Sequence, residues 1–183
     1  WDYLTIDGSA RRLYVTRGDR VVVLDADGGE AVGEIPDTHG VHGVALAPEL
    51  GRGFTSNGRD NSITVFDMKT YEVLQQVKVD AQVPDAILYD PASRRVFTFN
   101  ARSANVSAID AADGKPAGTI AVSGKPEFAV HDGSGRVFVN IEDKGELAVI
   151  DAKTLVVTTS WPLRDCEAPT GLAIDVAHRR LFT

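Results

Sequence analysis

Gly51-Arg52-Gly53-Phe54-Thr55-Ser56-Asn57-Gly58-Arg59-Asp60-Asn61-Ser62-Ile63-Thr64-Val65-Phe66-Asp67 reads as two short strands folded about a polar turn. Gly53 to Ser56 is one run of aromatic and small β-forming residues, Ser62 to Phe66 is a second, and an aspartate ends it. Branched and aromatic residues suit a pleated, packed surface, and Asn-Gly followed by charged residues suits the turn between. The same pattern returns along the chain. An aromatic followed by a small β-former stands at Tyr14-Val15-Thr16, Phe54-Thr55-Ser56, Phe97-Thr98-Phe99, Phe138-Val139-Asn140 and Phe182-Thr183, at intervals of 40, 43, 41 and 44 residues. An arginine precedes each aromatic by two places, as Arg12, Arg52, Arg95, Arg136 and Arg180. The second run ends at Asp25, Asp67, Asp110 and Asp151.

Two landmarks with one period define a repeat, and each unit holds four strands. In the second unit they are expected at Gly43 to Ala47 (A), Gly53 to Ser56 (B), Ser62 to Phe66 (C) and Glu72 to Val79 (D). No segment carries a sustained 3.6-residue hydrophobic period, so the chain reads as all-β. Four-stranded units of about 40 to 45 residues have the length of propeller blades. The blades are expected at 1-40, 41-82, 83-125 and 126-167, with half of a fifth at 168-183, all in one domain.

Composition narrows the function. With 43% hydrophobic residues the 183-residue chain can bury a core, and 26 acidic against 19 basic side chains leave a net charge of -7. That balance argues against gripping nucleic acid or anionic lipid. A single cysteine, Cys166, excludes an internal disulfide framework and a zinc site built on several thiolates. Asp165 and Glu167 flank it, a poor setting for a reactive thiolate. The longest aliphatic run, Val21 to Leu24, is far short of the roughly 20 residues a membrane helix needs.

Tyr14-Val15-Thr16, the repeated Ile-Asp or Leu-Asp strand ends and the stretches Trp1-Asp2-Tyr3-Leu4 and Gly51 to Arg59 carry a resemblance over the whole chain. They resemble the YVTN-repeat β-propeller family, and within it the extracytoplasmic YncE-like branch. The resemblance implies a seven-bladed, WD40-like propeller that is usually exported to the periplasm or secreted, commonly with no assigned reaction. Seven blades of this length need roughly 290 residues. The chain opens on Trp1 and stops within strand B of its fifth unit, so it is expected to be a fragment of such a propeller, with two sheet faces left uncovered.

In a propeller the loops from strand D to the next strand A, and from B to C, gather at one mouth of the central channel. Counting back about twelve residues from each landmark aromatic gives Asp2, His42, Asp85, Glu127 and Thr170. Three carboxylates, an imidazole and a hydroxyl converging on one axis are suited to a polar ligand or a hard cation. The B/C loops add Arg17, Asn57, Arg59, Asp60, Asn100, Arg102, Asn140, Asp143 and Lys144, a mixture fit for a polar organic ligand or a protein partner. The bland reading of each asparagine is a strand end that bonds its own backbone.

At the other mouth Asp7, Asp90, Asp132 and Asp175 precede four of the repeat arginines by four or five residues, the spacing of an ion pair or an aspartate-capped turn. Other motifs fail. Asp25-Ala26-Asp27-Gly28 has Pro36 where a calcium loop needs its glutamate, and His39 and His42 sit on a loop that need not present them together. Two functions survive: a non-catalytic extracytoplasmic binding or scaffold propeller without a cofactor, or with a divalent cation at the mouth, and a propeller-type lactonase-like hydrolase in which the ring activates water.

Overall fold

A computed structural model describes residues 2–183. Within each sheet every strand pairs antiparallel with its neighbours in sequence, because the connections inside a sheet are short turns. The first sheet comprises β1 (Leu4–Asp7), β2 (Arg12–Thr16), β3 (Val21–Asp25) and β4 (Ala31–Ile35). The second comprises β5 (Val41–Ala47), β6 (Arg52–Asn57), β7 (Ser62–Asp67) and β8 (Val73–Lys78). The third holds β9 (Pro84–Asp90), β10 (Arg95–Asn100), β11 (Asn105–Asp110) and β12 (Pro116–Ala121), and the fourth β13 (Pro126–His131), β14 (Arg136–Ile141), β15 (Glu146–Asp151) and β16 (Val156–Pro162). A hairpin of β17 (Ala173–Asp175) and β18 (Arg180–Phe182) begins a fifth.

Sheets stack face to face around an axis, with the A strands β1, β5, β9 and β13 innermost. The middle strands are buried on both faces and therefore read as nearly continuous apolar runs, such as Ile63-Thr64-Val65-Phe66. Outer strands such as β8 (Val-Leu-Gln-Gln-Val-Lys) meet water and carry polar residues. One hydrophobic core fills each interface. Tyr14 packs with Val41, Val44 and Phe66 between the first two blades, and Phe54 with Tyr89, Val96 and Ile109 between the next two. Phe97 packs with Ala129 and Val137, and Phe138 with Leu147 and Leu172. The repeated aromatic is thus the plug of one blade into the next. Its fifth copy, Phe182, is 57% exposed.

The packing leaves a signature at Gly53. It pairs across the sheet with Phe66, and a Cβ there would fall 2.0 Å from the Phe66 ring. The equivalent pairs in the third and fourth blades are Val96 with Ile109 and Val137 with Ile150. The second blade fills the same space with one large and one absent side chain.

Each strand-C aspartate closes the turn that follows it. Asp25, Asp67, Asp110 and Asp151 each accept two backbone N–H groups from the C/D turn through Oδ1. At the A/B turns Asp7, Asp90, Asp132 and Asp175 likewise accept backbone N–H groups. The arginines mostly go elsewhere: among the described residues only Asp132 binds the arginine of its own turn, Arg136, at 2.7 Å. Arg95 donates to the carbonyls of Ala152 and Lys153 on the following blade, and Arg52 to those of Ala111 and Ala112.

Candidate functional site at the channel mouth

Strand A of three blades carries the same irregularity. The pairing register slips between Val41 and Val44 in β5, opposite Thr98 to Asn100 in β9, and between Pro126 and Ala129 in β13. The residues out of register begin with His42, Asp85 and Glu127. Such a bulge turns a side chain away from the regular pleat, and here it sends one polar group per blade toward the axis. Asp2 reaches the same place from the segment before β1, where the Tyr3 N–H donates to the His42 carbonyl.

The groups converge closely. His42 Nδ1 lies 2.8 Å from Asp2 Oδ2 and 3.5 Å from Asp85 Oδ1. One ligand atom from each of the three residues lies within 4.8 Å of the others, although they belong to three blades. Glu127 stands beside them, with Lys125 Nζ 3.3 Å away and the Tyr3 hydroxyl donating to Oε1 at 3.4 Å. Lys125 also binds Glu142. Tyr3 and Phe128 meet across the arc with ring centroids 5.4 Å apart. A cavity of about 590 Å³ opens among the A strands toward the other mouth, lined by Asp7, Ser9 and His131 with apolar groups that include Val44, Leu46, Ile87 and Val130, and Asp2, His42, Asp85 and Glu127 do not line it.

The electrostatics follow from crowding. Burial pushes the Asp85 carboxyl above the usual carboxylate range; His42 opposes this, and the nearby Glu127 and Asp2 add to it. Burial and the same carboxylates push the Tyr3 phenol up, so it stays a hydrogen-bond donor. The Glu142 carboxylate holds the Lys125 ammonium in its charged form. The Asp2 and Asp85 carboxylates crowd the His42 imidazole, and a cation among the three would relieve the repulsion between them.

No family model matches the chain, and no curated protein matches it. Solved structures do. Hydrazine synthase of Kuenenia stuttgartiensis aligns with a TM-score of 0.80 at 16% identity, over 92% of this chain and 50% of that one. The β-propeller domain of Cps50 (Swd1) of Myceliophteria thermophila aligns at 0.80 with 13% identity, over 97% of this chain and 60% of that one.

The fold is a β-propeller. The chain spans about half to three fifths of the length of these two neighbours. Identities this low carry the architecture, and the chemistry must come from the site.

The propeller sorts the remaining sequence candidates. Thr170 is exposed, lies ahead of β17 and lines a small hollow with Tyr3 and Glu127, without a polar contact to the ring. Asn57, Asn100 and Asn140 correct the expectation of a ligand-facing loop set, since all three are fully buried. Asn57 accepts from Thr55 Oγ1 and donates to Ser62 and Thr64; Asn100 accepts from Thr98 and donates to Asn105 and Ser107. Asn140 donates to the Gly171 carbonyl. These amides tie strand B to its neighbours because a buried amide needs partners.

Arg17 is exposed on its loop, while Arg59 and Arg102 line a cleft with His42. Asp143 caps the Lys125 N–H, Lys144 lies 3.9 Å from Asp143, and Asp60 offers its carbonyl to Lys78. His39 is exposed and outside the His42 cluster. Counting from the aromatics missed Tyr3 and Lys125; each adjoins a ring position, at one and two residues' distance, which is the only signal the sequence held. Among the described residues no helix is long and apolar enough to cross a membrane.

Proposed function

We propose that this protein is a non-catalytic, extracytoplasmic binding propeller of the YncE-like YVTN branch, whose channel mouth holds a divalent cation or a small polar ligand, free or presented by a partner protein. The Tyr14-Val15-Thr16 motif and the periodic Ile-Asp strand ends support the branch and, through it, the periplasmic or secreted location. One observation carries the ligand class: His42 Nδ1, an Asp2 oxygen and an Asp85 oxygen converge within 4.8 Å. An imidazole with two carboxylates favours borderline ions such as Zn²⁺ or Co²⁺ over Ca²⁺, which prefers oxygen alone. The chain's net charge of -7 opposes binding of a nucleic-acid phosphate backbone.

The test is calorimetric titration of metal-free protein with Zn²⁺, Co²⁺ and Ca²⁺. One site per chain, tighter for Zn²⁺ or Co²⁺ and lost in both Asp85→Asn and His42→Ala, is the expected result. Equal binding by wild type and both variants would sink the assignment.

The hydrolase reading has one supporting feature, the raised Asp85 carboxyl beside His42, which is suited to taking a proton from a metal-bound water. Against it, Asp85 is one of the three groups offered to the cation, so the carboxylate that would take the proton is the one that would hold the ion. Turnover of simple lactones by the Co²⁺-loaded protein, lost in Asp85→Asn, would favour hydrolysis over plain binding.

A further inference from the structure

Between the second and third blades the mouth opens into a cleft of about 480 Å³. Its lining includes Arg59, Asn61, Gln82, Val83 and Arg102, with His42 as the wall shared with the cation cluster. Among the described residues neither Arg59 nor Arg102 has a carboxylate within 4.0 Å, whereas Arg11, Arg12, Arg20 and Arg136 each do. Arg59 and Arg102, both exposed, reach this cleft from loops 43 positions apart. The Asn61 carbonyl oxygen accepts the Val83 N–H at 3.0 Å, so its NH₂ remains a donor. Gln82 contributes a further amide.

The wall of the cleft is held under strain. Val83 has φ of 56°, a left-handed conformation that a β-branched side chain disfavours. The Asn61 side chain holds its N–H and the Ala101 N–H holds its carbonyl at 3.1 Å, while the Arg102 N–H reaches the Gln82 carbonyl at 3.4 Å. These bonds join the loops that carry Arg59 and Arg102 to the segment before β9. Strain kept in place by surrounding bonds is a recurrent mark of ligand sites.

We infer that this cleft binds the oxyanion group of a small molecule, a carboxylate or a phosphate, clamped between Arg59 and Arg102. A planar guanidinium pairs with either group through two parallel N–H donors, which a lysine cannot do. Two arginines over this volume suit one such group and not an extended polyanion. The inference goes beyond the cation reading and does not require it, because the anion meets the arginines while the cation would meet Asp2 and Asp85 on the far side of His42.

The experiment uses metal-free protein titrated with inorganic phosphate and, separately, with succinate at low ionic strength. Saturable binding of one equivalent of at least one probe is expected, weakened at least tenfold by Arg59→Ala with Arg102→Ala. The paired lysine variant should recover only part of the loss. Asp85→Asn, which tests the cation site, should leave anion binding intact or strengthen it, so the two readings fail separately. Phosphate alone binding points to a phosphate ester, succinate alone to a carboxylate metabolite, and either supports the site. No saturable binding of either probe, or unchanged affinity in the double alanine variant, overturns it.

Discussion

Nη1 of Arg95 donates to the carbonyl of Ala152 at 2.7 Å, and so crosses from strand B of the third blade to the C/D turn of the fourth. The same nitrogen reaches the Lys153 carbonyl at 2.8 Å, in a turn whose N–H groups are already held by Asp151. Arginine and aspartate therefore close one turn from two sides, one from the neighbouring blade and one from its own.

Arg95→Ala should then cost about 2 kcal/mol, the scale of hydrogen bonds to a charged group with their acceptors left behind. Urea unfolding measures this. Cation and anion binding at the opposite mouth should not change, and a loss below about 0.5 kcal/mol would mean that the turn stands without the arginine.

Gly53→Val should destabilise the second blade by about 1 to 3 kcal/mol through overpacking, because the new side chain meets the Phe66 ring. Adding Phe66→Ile recreates the Val and Ile pairing of Val96 with Ile109. The double variant should regain most of the loss, a strong coupling between neighbours. Additive losses would show that Gly53 is needed for its backbone.

Asn57→Ala removes the amide that joins Thr55, Ser62 and Thr64 inside the sheet. Leaving those buried hydroxyls without their partner should lower stability by about 2 kcal/mol while phosphate and Co²⁺ titrations stay as in wild type. Weakened ligand binding at unchanged stability would return Asn57 to the site.

Asp132 gives a pH dependence with a definite sign. Burial raises its carboxyl, but the Ser134 N–H and hydroxyl, with Arg136, outweigh this and hold it at about 2. A carboxyl depressed in the folded state adds stability above its unfolded value near 4, and that stability is lost as the pH falls toward 2. The wild type should lose up to about 2 kcal/mol more than Asp132→Asn over this window. Parallel acid titrations of the two proteins would remove Asp132 as the cause.

Asp85 runs the other way. Its carboxyl is raised by burial, so ionising it in the folded protein costs stability at neutral pH, and the cost disappears as the pH falls. Metal-free Asp85→Asn should melt higher than wild type at pH 7 although it no longer binds Zn²⁺ or Co²⁺. Stability given up at a binding residue is the expected pattern for a functional site. Wild-type cation affinity should also begin to fall at a higher pH than an ordinary carboxylate would dictate.

The repeat of Arg12, Arg52, Arg95 and Arg136, each two places before an aromatic, already held the strands, the blades and the capped turns, because these rest on hydrogen bonds and side-chain alternation among residues close in sequence. The same count placed His42, Asp85 and Glu127 at one mouth without showing why they face the axis; that depends on a bulge, a feature of the paired strands and not of one strand read alone. Whether Asn57 turned inward or outward was undecided locally, since an asparagine ending a strand serves both a turn and a buried network. Packing of β6 between two blades decided it. Tyr3 beside Glu127, 124 residues away, and Arg95 on Ala152, 57 away, exist only once the sheets stand around a common axis. Periodicity along the chain specifies each blade, and the radial packing of one blade on the next sets which polar groups meet at the mouth and which are spent inside.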